Sequence, residues 1–354
     1  MKSPYSSLPI KNRIERAMQD TSFQTFCKRE RQRPDFDEKL AMVEKIAKID
    51  ISNITCDHSL TDTIHVFTPK EIMADTIDFY DMIDSLAPQG IDLGTRLYEN
   101  SQYFTKDLKG KEGRSYCKSG KLKDGTPFRE IFVEINGRIN DTITSIHEFG
   151  HSFCEPFMQI IKPKDRKTEE ISTVITDNLS SIFLKKQHPE YCENYIENDR
   201  IRQIINVKKA RECLMDAMIV KVMCGEDTFD NVMKTYGDLF KQFPDILLSR
   251  LEKIETYDFY PMYESKYLIP QAIALELCEL FEQNPNLVAE QLKEIIVHTH
   301  EWTEEETIAY LGLLGKEQLI DNYITKFADR MSQMDAEKAK VQQEKQTAES
   351  AITL

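Results

Sequence analysis

The chain has 354 residues, of which 40% are hydrophobic and 30% charged, a composition typical of a globular protein with a sizeable core. Its 60 acidic and 46 basic side chains give a formal net charge of −14. This charge argues against nucleic acid or an anionic membrane surface as the main partner, and its field would favour cationic peptides.

Cysteine usage and hydropathy indicate the compartment. The eight cysteines lack C-x-x-C spacing, which predicts reduced thiols rather than the disulfide framework of a secreted domain. The first residues lack the apolar stretch of a signal peptide, and no apolar run is long enough to span a bilayer. We therefore expect a cytoplasmic protein without a membrane partner. The alternative is a protein delivered to a host cell by a secretion system that needs no signal peptide.

The first 95 residues are predicted to form helices joined by polar loops. Apolar side chains recur at helical intervals over residues 35–48 and again over residues 69–86. Pro88-Gln89-Gly90 then predicts a turn.

Residues 96–139 predict a small antiparallel sheet. Residues 131–135 are mostly β-branched or aromatic, and Asn136-Gly137 marks a tight turn before the next helix. We expect the last strand to border that helix. It is either an edge strand that holds an extended peptide by strand addition, or an ordinary buried strand.

Residues 147–151 spell H-E-F-G-H, which is the H-E-x-x-H pattern of zinc hydrolases. On a helix this spacing puts the imidazoles of His147 and His151 one turn apart on the same face, so that both can bind a single Zn²⁺. Glu148, between them, can reach the water at the metal and act as a general base. The alternative is a pair of histidines without a metal.

The chemistry of this pattern depends on helicity, which the flanking residues support. Asn140 or Asp141 can cap the first turn, and Pro156 is expected to end a helix of roughly fourteen residues. The expected buried face comprises Ile143, Ile146, Phe149 and Phe153.

A third zinc ligand is expected on the next helix, which Thr168 is predicted to cap. Glu170 lies nineteen residues after His151 and is the best candidate, with its neighbour Glu169 as the fallback. Asp177 lies two turns further on the same face. It is either an acceptor for the N–H of a ligand imidazole or a solvated carboxylate.

Four tyrosines precede an apolar helix within residues 257–267. Their phenols could donate hydrogen bonds to the oxyanion that forms when water attacks a peptide carbonyl. The alternative is amphipathic packing with each hydroxyl exposed at its tip. These residues are Tyr257, Tyr260, Tyr263 and Tyr267.

Several of these segments together resemble the catalytic core of the thimet oligopeptidase and oligoendopeptidase F family. They are Tyr116-Cys117, Pro127-Phe128, Ile135-Asn136-Gly137, Asp141-Thr142-Ile143-Thr144 and the H-E-F-G-H run. Glu170-Ile171-Ser172-Thr173 with Asp177-Asn178 resembles the second zinc helix of that family, a register that favours Glu170 over Glu169. Residues 257–267 resemble its substrate loop.

The resemblance implies a short member of this family, with a fold that is mainly α and has a small antiparallel sheet next to the active-site helix of a zincin-like core. Residues 1–95 would be a helical region packed on the catalytic core, 96–330 the catalytic region, and 331–354 a polar tail, disordered or helical. Family members are usually longer, and their spacing between the zinc helices is larger. The histidine of their transition-state loop is missing here, and Tyr257 lies nearest to that place.

The predicted function is a zinc metallopeptidase that hydrolyses peptide bonds of a peptide or protein substrate. His147, His151 and Glu170 would bind zinc and Glu148 would be the general base. Tyr263 or Tyr267, with Tyr257 or Tyr260, would stabilise the oxyanion. The alternatives are another zinc-dependent amide hydrolase, an effector-type protease for a specific protein, and a non-catalytic interaction protein stabilised by zinc.

Overall fold

The computed structural model describes residues 10–61, 67–101, 104–105, 115–121, 127–158, 167–241, 245–256, 258–299 and 301–352. Contacts divide the chain into two compact units. The first unit comprises residues 1–54 and 202–268, and the second unit comprises residues 55–201 and 269–354. The boundaries predicted at residues 95 and 330 were based on composition and resemblance, and they stay a prediction.

Helices dominate both units, and the strands belong to the second unit. In chain order the helices are α1 (Ile10–Gln19), α2 (Thr21–Arg31), α3 (Phe36–Ala47), α4 (His58–Thr61), α5 (Pro69–Leu86), α6 (Leu93–Ser101), α7 (Asn140–Met158), α8 (Lys167–Gln187), α9 (Cys192–Met223), α10 (Phe229–Lys241), α11 (Asp245–Glu255), α12 (Leu268–Gln283), α13 (Pro285–Val297), α14 (Glu304–Tyr310) and α15 (Lys316–Ile352). The strands are β1 (Phe104–Thr105), β2 (Tyr116–Lys121) and β3 (Pro127–Phe132), and short 3₁₀ turns cover Pro189–Tyr191 and Tyr263–Tyr267.

Helix α5 illustrates how local sequence sets an element, and it has the predicted bounds. Thr68 precedes the helix with an extended backbone, and its hydroxyl accepts a hydrogen bond from the backbone N–H of Glu71. The Glu71 carboxylate accepts the Thr68 N–H in return at 2.7 Å. Pro69, in the first turn, needs no hydrogen-bond partner there. Such a cap stabilises a helix by about 1 kcal/mol.

The sheet of the second unit has the order β1-β3-β2. Strands β2 and β3 pair antiparallel, as predicted, whereas the two residues of β1 pair parallel with β3. The last strand, β3, is therefore internal among the described strands, and the expectation that it might be an edge strand is wrong. Strand β2 takes the edge position instead, because the chain adds β1 on the other side of β3.

The centre of the second unit is the packing of α7 against α5 and α8. The predicted apolar face of α7 is buried, including Phe149 and Phe153, which have no exposed surface. The Tyr80 ring lies edge-on to Phe153 with centroids 4.7 Å apart, and its hydroxyl donates to the Ile146 carbonyl oxygen at 2.6 Å. Burial of each large apolar ring contributes roughly 1.5–3 kcal/mol. These contacts fix the rotation of α7 about its axis.

In the first unit, the buried guanidinium of Arg211 stabilises the end of a helix. This side chain has no exposed surface. It donates to the carbonyl oxygens of Ala47 and Ile49 at 2.9 Å each, at the C-terminal end of α3. A cation at the C-terminal end of a helix satisfies carbonyl groups that have no partner within the helix.

The ends of α7 and α8 differ from the prediction. Helix α7 has 19 residues and continues to Met158, because Pro156 in its last turn removes only one backbone hydrogen bond. Asp141 does not cap it. Its carboxylate instead accepts the backbone N–H groups of Asn136 and Arg138 at 2.8 and 3.1 Å, in the turn before the helix. Helix α8 begins at Lys167, so Thr168 lies inside its first turn rather than before it.

Most of the predicted polar tail is helical, because α15 extends to Ile352. Its lysine and glutamine side chains contact carboxylates at the start of α9. Lys338 Nζ lies 2.8 Å from the Glu197 carboxylate, and Lys345 Nζ lies 3.5 Å from that of Glu193. These ion pairs explain how a segment with few apolar residues keeps a helical conformation within the second unit.

Gly150, inside the H-E-F-G-H run, faces the contact between α7, α5 and α8. A Cβ atom at this position would lie 3.4 Å from Thr173 Cγ2 and 3.5 Å from both Thr176 Oγ1 and Tyr80 Oη. A single methyl group therefore fits at ordinary contact distance, whereas a larger side chain does not.

We predict that Gly150→Ala changes the free energy of unfolding by no more than about 1 kcal/mol, because the gain in helix propensity offsets the tighter contact. Gly150→Val should lower it by about 1–3 kcal/mol through overpacking. Urea unfolding of the two variants, followed by circular dichroism, checks this. Equal stability of the two variants would contradict the close packing of α7.

Candidate metal centre

The two histidines of α7 converge as the spacing predicts. His147 Nε2 and His151 Nε2 lie 3.1 Å apart, and the ring centroids are 4.7 Å apart with an interplanar angle of 83°. Both side chains are partly buried. Two ring nitrogens at this distance can share a metal ion or a proton.

The separation of the two nitrogens can be tested against zinc coordination. Zn–N distances of 2.0–2.1 Å at a tetrahedral angle place two imidazole nitrogens about 3.3 Å apart. The observed 3.1 Å agrees with this value within a few tenths of an ångström. This N–N distance is therefore compatible with two ligands of one ion, and also with a hydrogen bond between the two rings.

Asp177 on α8 orients the first of these rings. Its carboxylate oxygens lie 3.0 and 3.1 Å from His147 Nδ1. In the neutral ring, with Nδ1–H donated to this carboxylate, Nε2 carries the lone pair that points toward His151. The predicted hydrogen bond between Asp177 and a histidine of the motif is thus confirmed.

Glu170 lies on the same face of α8, as predicted, and its charge raises the pKa of His147. Within the described ranges, however, no group of three or more His, Cys, Asp or Glu side chains is already arranged to hold a metal ion. The side chain of Glu169 lies outside the described part of the chain. The assignment of Glu170 as the third ligand stays a prediction.

The electrostatics of this cluster favour a cation. Burial alone would lower the pKa of His147, but the charge and hydrogen bond of Asp177, and then the charges of Glu148 and Glu170, raise it to about 9. Without a metal ion, the ring is therefore protonated near neutral pH. The same carboxylates would stabilise a divalent cation in place of that proton.

Glu148 is the one carboxylate of the H-E-F-G-H run, and 7% of its surface is exposed. Burial raises its pKa, and the positive charges of His147 and His151 oppose that shift. Its carboxylate also accepts a hydrogen bond from the backbone N–H of Cys117 in β2. A carboxylate with a pKa shifted toward neutrality is suited to accept and return a proton.

The contact to Cys117 was not predicted, because a backbone N–H leaves no signature in the side-chain sequence. It shows that the edge strand β2 borders the acidic residue of α7, and the predicted contact of the last strand β3 with α7 is also present. Tyr80 was also missed as a support for the site. Tyr80 lies within the predicted helix of residues 69–86, but nothing in the local sequence indicated that its hydroxyl bonds to Ile146.

The predicted tyrosines belong to the first unit, whereas the histidines belong to the second. Tyr260 and Tyr263 are 63% and 56% exposed, and Tyr267 is partly buried. Tyr257 lies outside the described residues. A role for Tyr257, Tyr263 or Tyr267 in stabilising an oxyanion stays a prediction.

Comparisons with other proteins support the fold. No protein-family model matches the sequence, and no curated protein sequence matches it. A crystal structure from Bacillus anthracis str. Ames, described as a "putative oligoendopeptidase F", is similar with a TM-score of 0.55 and 13% sequence identity. The similarity covers 93% of this chain and 57% of that chain. At this identity it establishes the fold alone.

The predicted fold class, mainly α with a small antiparallel sheet and a zincin-like core, is confirmed by this similarity and by the observed elements. The chain spans little more than half the length of the similar structure. None of the described helices has the combination of length and apolarity needed to cross a membrane.

We predict that Asp177→Asn lowers the pKa of His147 in the metal-free protein by about one unit or more, because the main charge that stabilises the imidazolium is lost. The folded pKa of about 9 exceeds the usual 6.5. Protonation of His147 therefore stabilises the fold fully below about pH 6.5, and this contribution is lost as the pH rises through about 9.

The variant should accordingly be less stable than wild type near pH 6, and the difference should shrink near pH 10. NMR titration of the imidazole and urea unfolding at the two pH values measure both effects. Asp329→Asn, at an exposed position of the same unit, is the matched control. An unchanged titration of His147 would show that Asp177 does not act on it.

Proposed function

We propose that the protein is a zinc metallopeptidase that hydrolyses peptide bonds with water activated by Glu148. The observation that carries this proposal is the convergence of His147 and His151, whose Nε2 atoms lie 3.1 Å apart beside a buried glutamate. The fold shared with a structure described as an oligoendopeptidase F adds support.

In this proposal His147, His151 and Glu170 hold the zinc ion. A bound zinc ion supplies Lewis acidity, which acidifies a water molecule and polarises the carbonyl of the bond to be cleaved. Asp177 keeps His147 in the tautomer with a lone pair on Nε2. The charge of Glu170 acts on His147, which supports its assignment as a ligand.

Glu148 carries out the proton transfers. Its carboxylate accepts a proton from the attacking water and returns it to the leaving amine. Burial raises the pKa of this carboxyl above its ordinary value, which makes it a stronger proton acceptor. The Cys117 N–H fixes the orientation of the carboxylate relative to β2.

The substrate would be a peptide in extended conformation. Strand β2 lies at the edge of the sheet among the described strands and beside Glu148, so an extended peptide could pair along the side of β2 that faces away from β3. Main-chain hydrogen bonds of this kind recognise a peptide backbone rather than a particular side chain. The tyrosines of residues 257–267 would donate hydrogen bonds to the developing oxyanion.

We predict that Glu148→Gln binds zinc as wild type does but cleaves peptides more slowly by a factor of about 10² to 10⁴, because the amide cannot accept the proton. Mass spectrometry of a peptide library after incubation with zinc-loaded protein, with and without chelator, measures cleavage. Glu344→Gln, on the exposed end of α15, is the matched control and should retain wild-type activity.

Cleavage by Glu148→Gln at the wild-type rate would show that another group is the base. Binding of zinc without cleavage of any library peptide by wild type would instead favour a hydrolase for a different amide bond, or a protein in which zinc has a structural role.

We further predict that Glu170→Gln weakens zinc binding by about a hundredfold or more, whereas Glu169→Gln leaves it near the wild-type value. The two substitutions remove the same charge from adjacent positions of α8. The comparison therefore separates the loss of a zinc ligand from the electrostatic effect of losing one negative charge near the site. Competition with a chromophoric chelator gives both affinities. The opposite order would assign the ligand role to Glu169.

A further inference from the structure

One residue of the tyrosine segment, residues 258–267, has an unusual backbone conformation. Met262 has φ 55° and ψ 24°, and it is the one residue other than glycine with positive φ among those the structure describes. The left-handed region disfavours a residue with a Cβ, and methionine has no side-chain oxygen that could compensate locally. The surrounding contacts must therefore hold Met262 in this conformation.

Both peptide groups of Met262 are held by buried contacts. Its N–H donates to Asp216 Oδ2 at 3.2 Å, across 46 residues of sequence. Its carbonyl oxygen accepts the backbone N–H of Ser265 at 3.0 Å and the Ser265 hydroxyl at 2.7 Å. Asp216 is the one of these partners that comes from outside the segment.

Asp216 lies on α9 in the first unit, and only 2% of its surface is exposed. Arg250 Nε, on α11, lies 3.6 Å from its other oxygen, and Arg250 also donates to Glu212. Burial raises the pKa of Asp216 to about 7, with Arg250 and the Met262 N–H opposing the shift. Burying this carboxylate costs free energy, and the hydrogen bond from the Met262 N–H offsets part of that cost.

The segment displays large side chains on this fixed backbone. Met262 and Ser265 are buried, whereas Tyr260 and Tyr263 are more than half exposed. Lys266 Nζ lies 4.5 and 4.7 Å from the ring centroids of Tyr263 and Tyr267, which further restricts these rings. Because the backbone of the segment is held in place, its exposed aromatic rings lose little conformational entropy when a ligand binds to them.

We propose that Asp216 is a positioning residue, which holds residues 258–267 in the conformation that displays Tyr260 and Tyr263. It acts through the N–H of Met262 and touches neither metal nor substrate. The consequence for catalysis rests on the proposed function, because the tyrosines would have to act on the peptide substrate.

The test compares the protection of the Ser265 amide from hydrogen exchange in several variants. The Ser265 N–H reports the turn, because it donates to the Met262 carbonyl oxygen and its own sequence neighbours stay constant. Asp216→Ala should speed hydrogen exchange at Ser265 about tenfold or more. Asp216→Asn keeps an acceptor oxygen and should retain most of the protection. Asp238→Ala, at an exposed position of the same unit, is the control.

A second substitution identifies the mechanism. Glycine adopts positive φ without steric cost, whereas alanine does not, and both lack the methionine side chain. In the Asp216→Ala background, Met262→Gly should therefore restore protection of Ser265 relative to Met262→Ala by a factor of about five or more. A purely structural role of Asp216 in the packing of α9 and α11 would give no such difference.

Peptide cleavage is measured on the same variants loaded with zinc. We expect kcat/KM to fall about tenfold or more in Asp216→Ala with unchanged zinc content, and to recover in part with Met262→Gly. Asp216→Leu, of similar shape, takes the place of Asp216→Ala if the alanine variant does not fold.

The outcomes separate the two proposals. Unchanged exchange at Ser265 in Asp216→Ala, or equal protection with glycine and alanine at position 262, would overturn the positioning role. Faster exchange with undiminished cleavage would overturn its link to catalysis while leaving the peptidase proposal intact. A wild-type protein that cleaves no peptide would refute the proposed function, and the exchange data would still decide the role of Asp216.

Discussion

The geometry of the candidate site depends on how α7 is held in the second unit. The helical spacing places the imidazoles of His147 and His151 one turn apart, with their Nε2 atoms separated by 3.1 Å, and the buried rings of Phe149 and Phe153 fix the direction in which this face of the helix points. No side chain larger than a methyl group fits at Gly150, where α7 packs closely on α8, and Asp177 of α8 contacts His147. The packing on one side of α7 therefore determines where the histidines on its other side lie.

The charge distribution follows from this arrangement. Two carboxylates from α8 and one from α7 act on a pair of imidazoles in a partly buried place, and they raise the pKa of His147 to about 9. A site that holds a proton so firmly at neutral pH has an excess of negative charge. A divalent cation would relieve that excess and leave Glu148 able to exchange protons with water.

Much of the second unit could be predicted from the sequence, because its signals are local. The spacing of apolar residues gave the bounds of α5, and the i, i+4 histidines gave the face of α7. The carboxylates of α8 followed from a two-turn spacing. The helix ends were less predictable, since Asp141 satisfies a preceding turn instead of the helix and Pro156 is tolerated in a last turn.

Long-range contacts could not be predicted. The edge position of β2 depends on which strand adds to β3, and the N–H of Cys117 that reaches Glu148 has no counterpart in side-chain chemistry. The same holds for Asp216, which gave no signal in the apolar stretch of α9, although its carboxylate holds Met262 46 residues away. Such contacts depend on tertiary packing, which a single sequence does not encode by local pattern.

The central claim is that His147 and His151 are ligands of one zinc ion. Anomalous diffraction recorded on both sides of the zinc absorption edge, from crystals grown with zinc, tests it directly. We expect one strong peak per chain, about 2.0–2.1 Å from Nε2 of both histidines. A peak at another place, or none beside these rings in protein exposed to excess zinc, would contradict it.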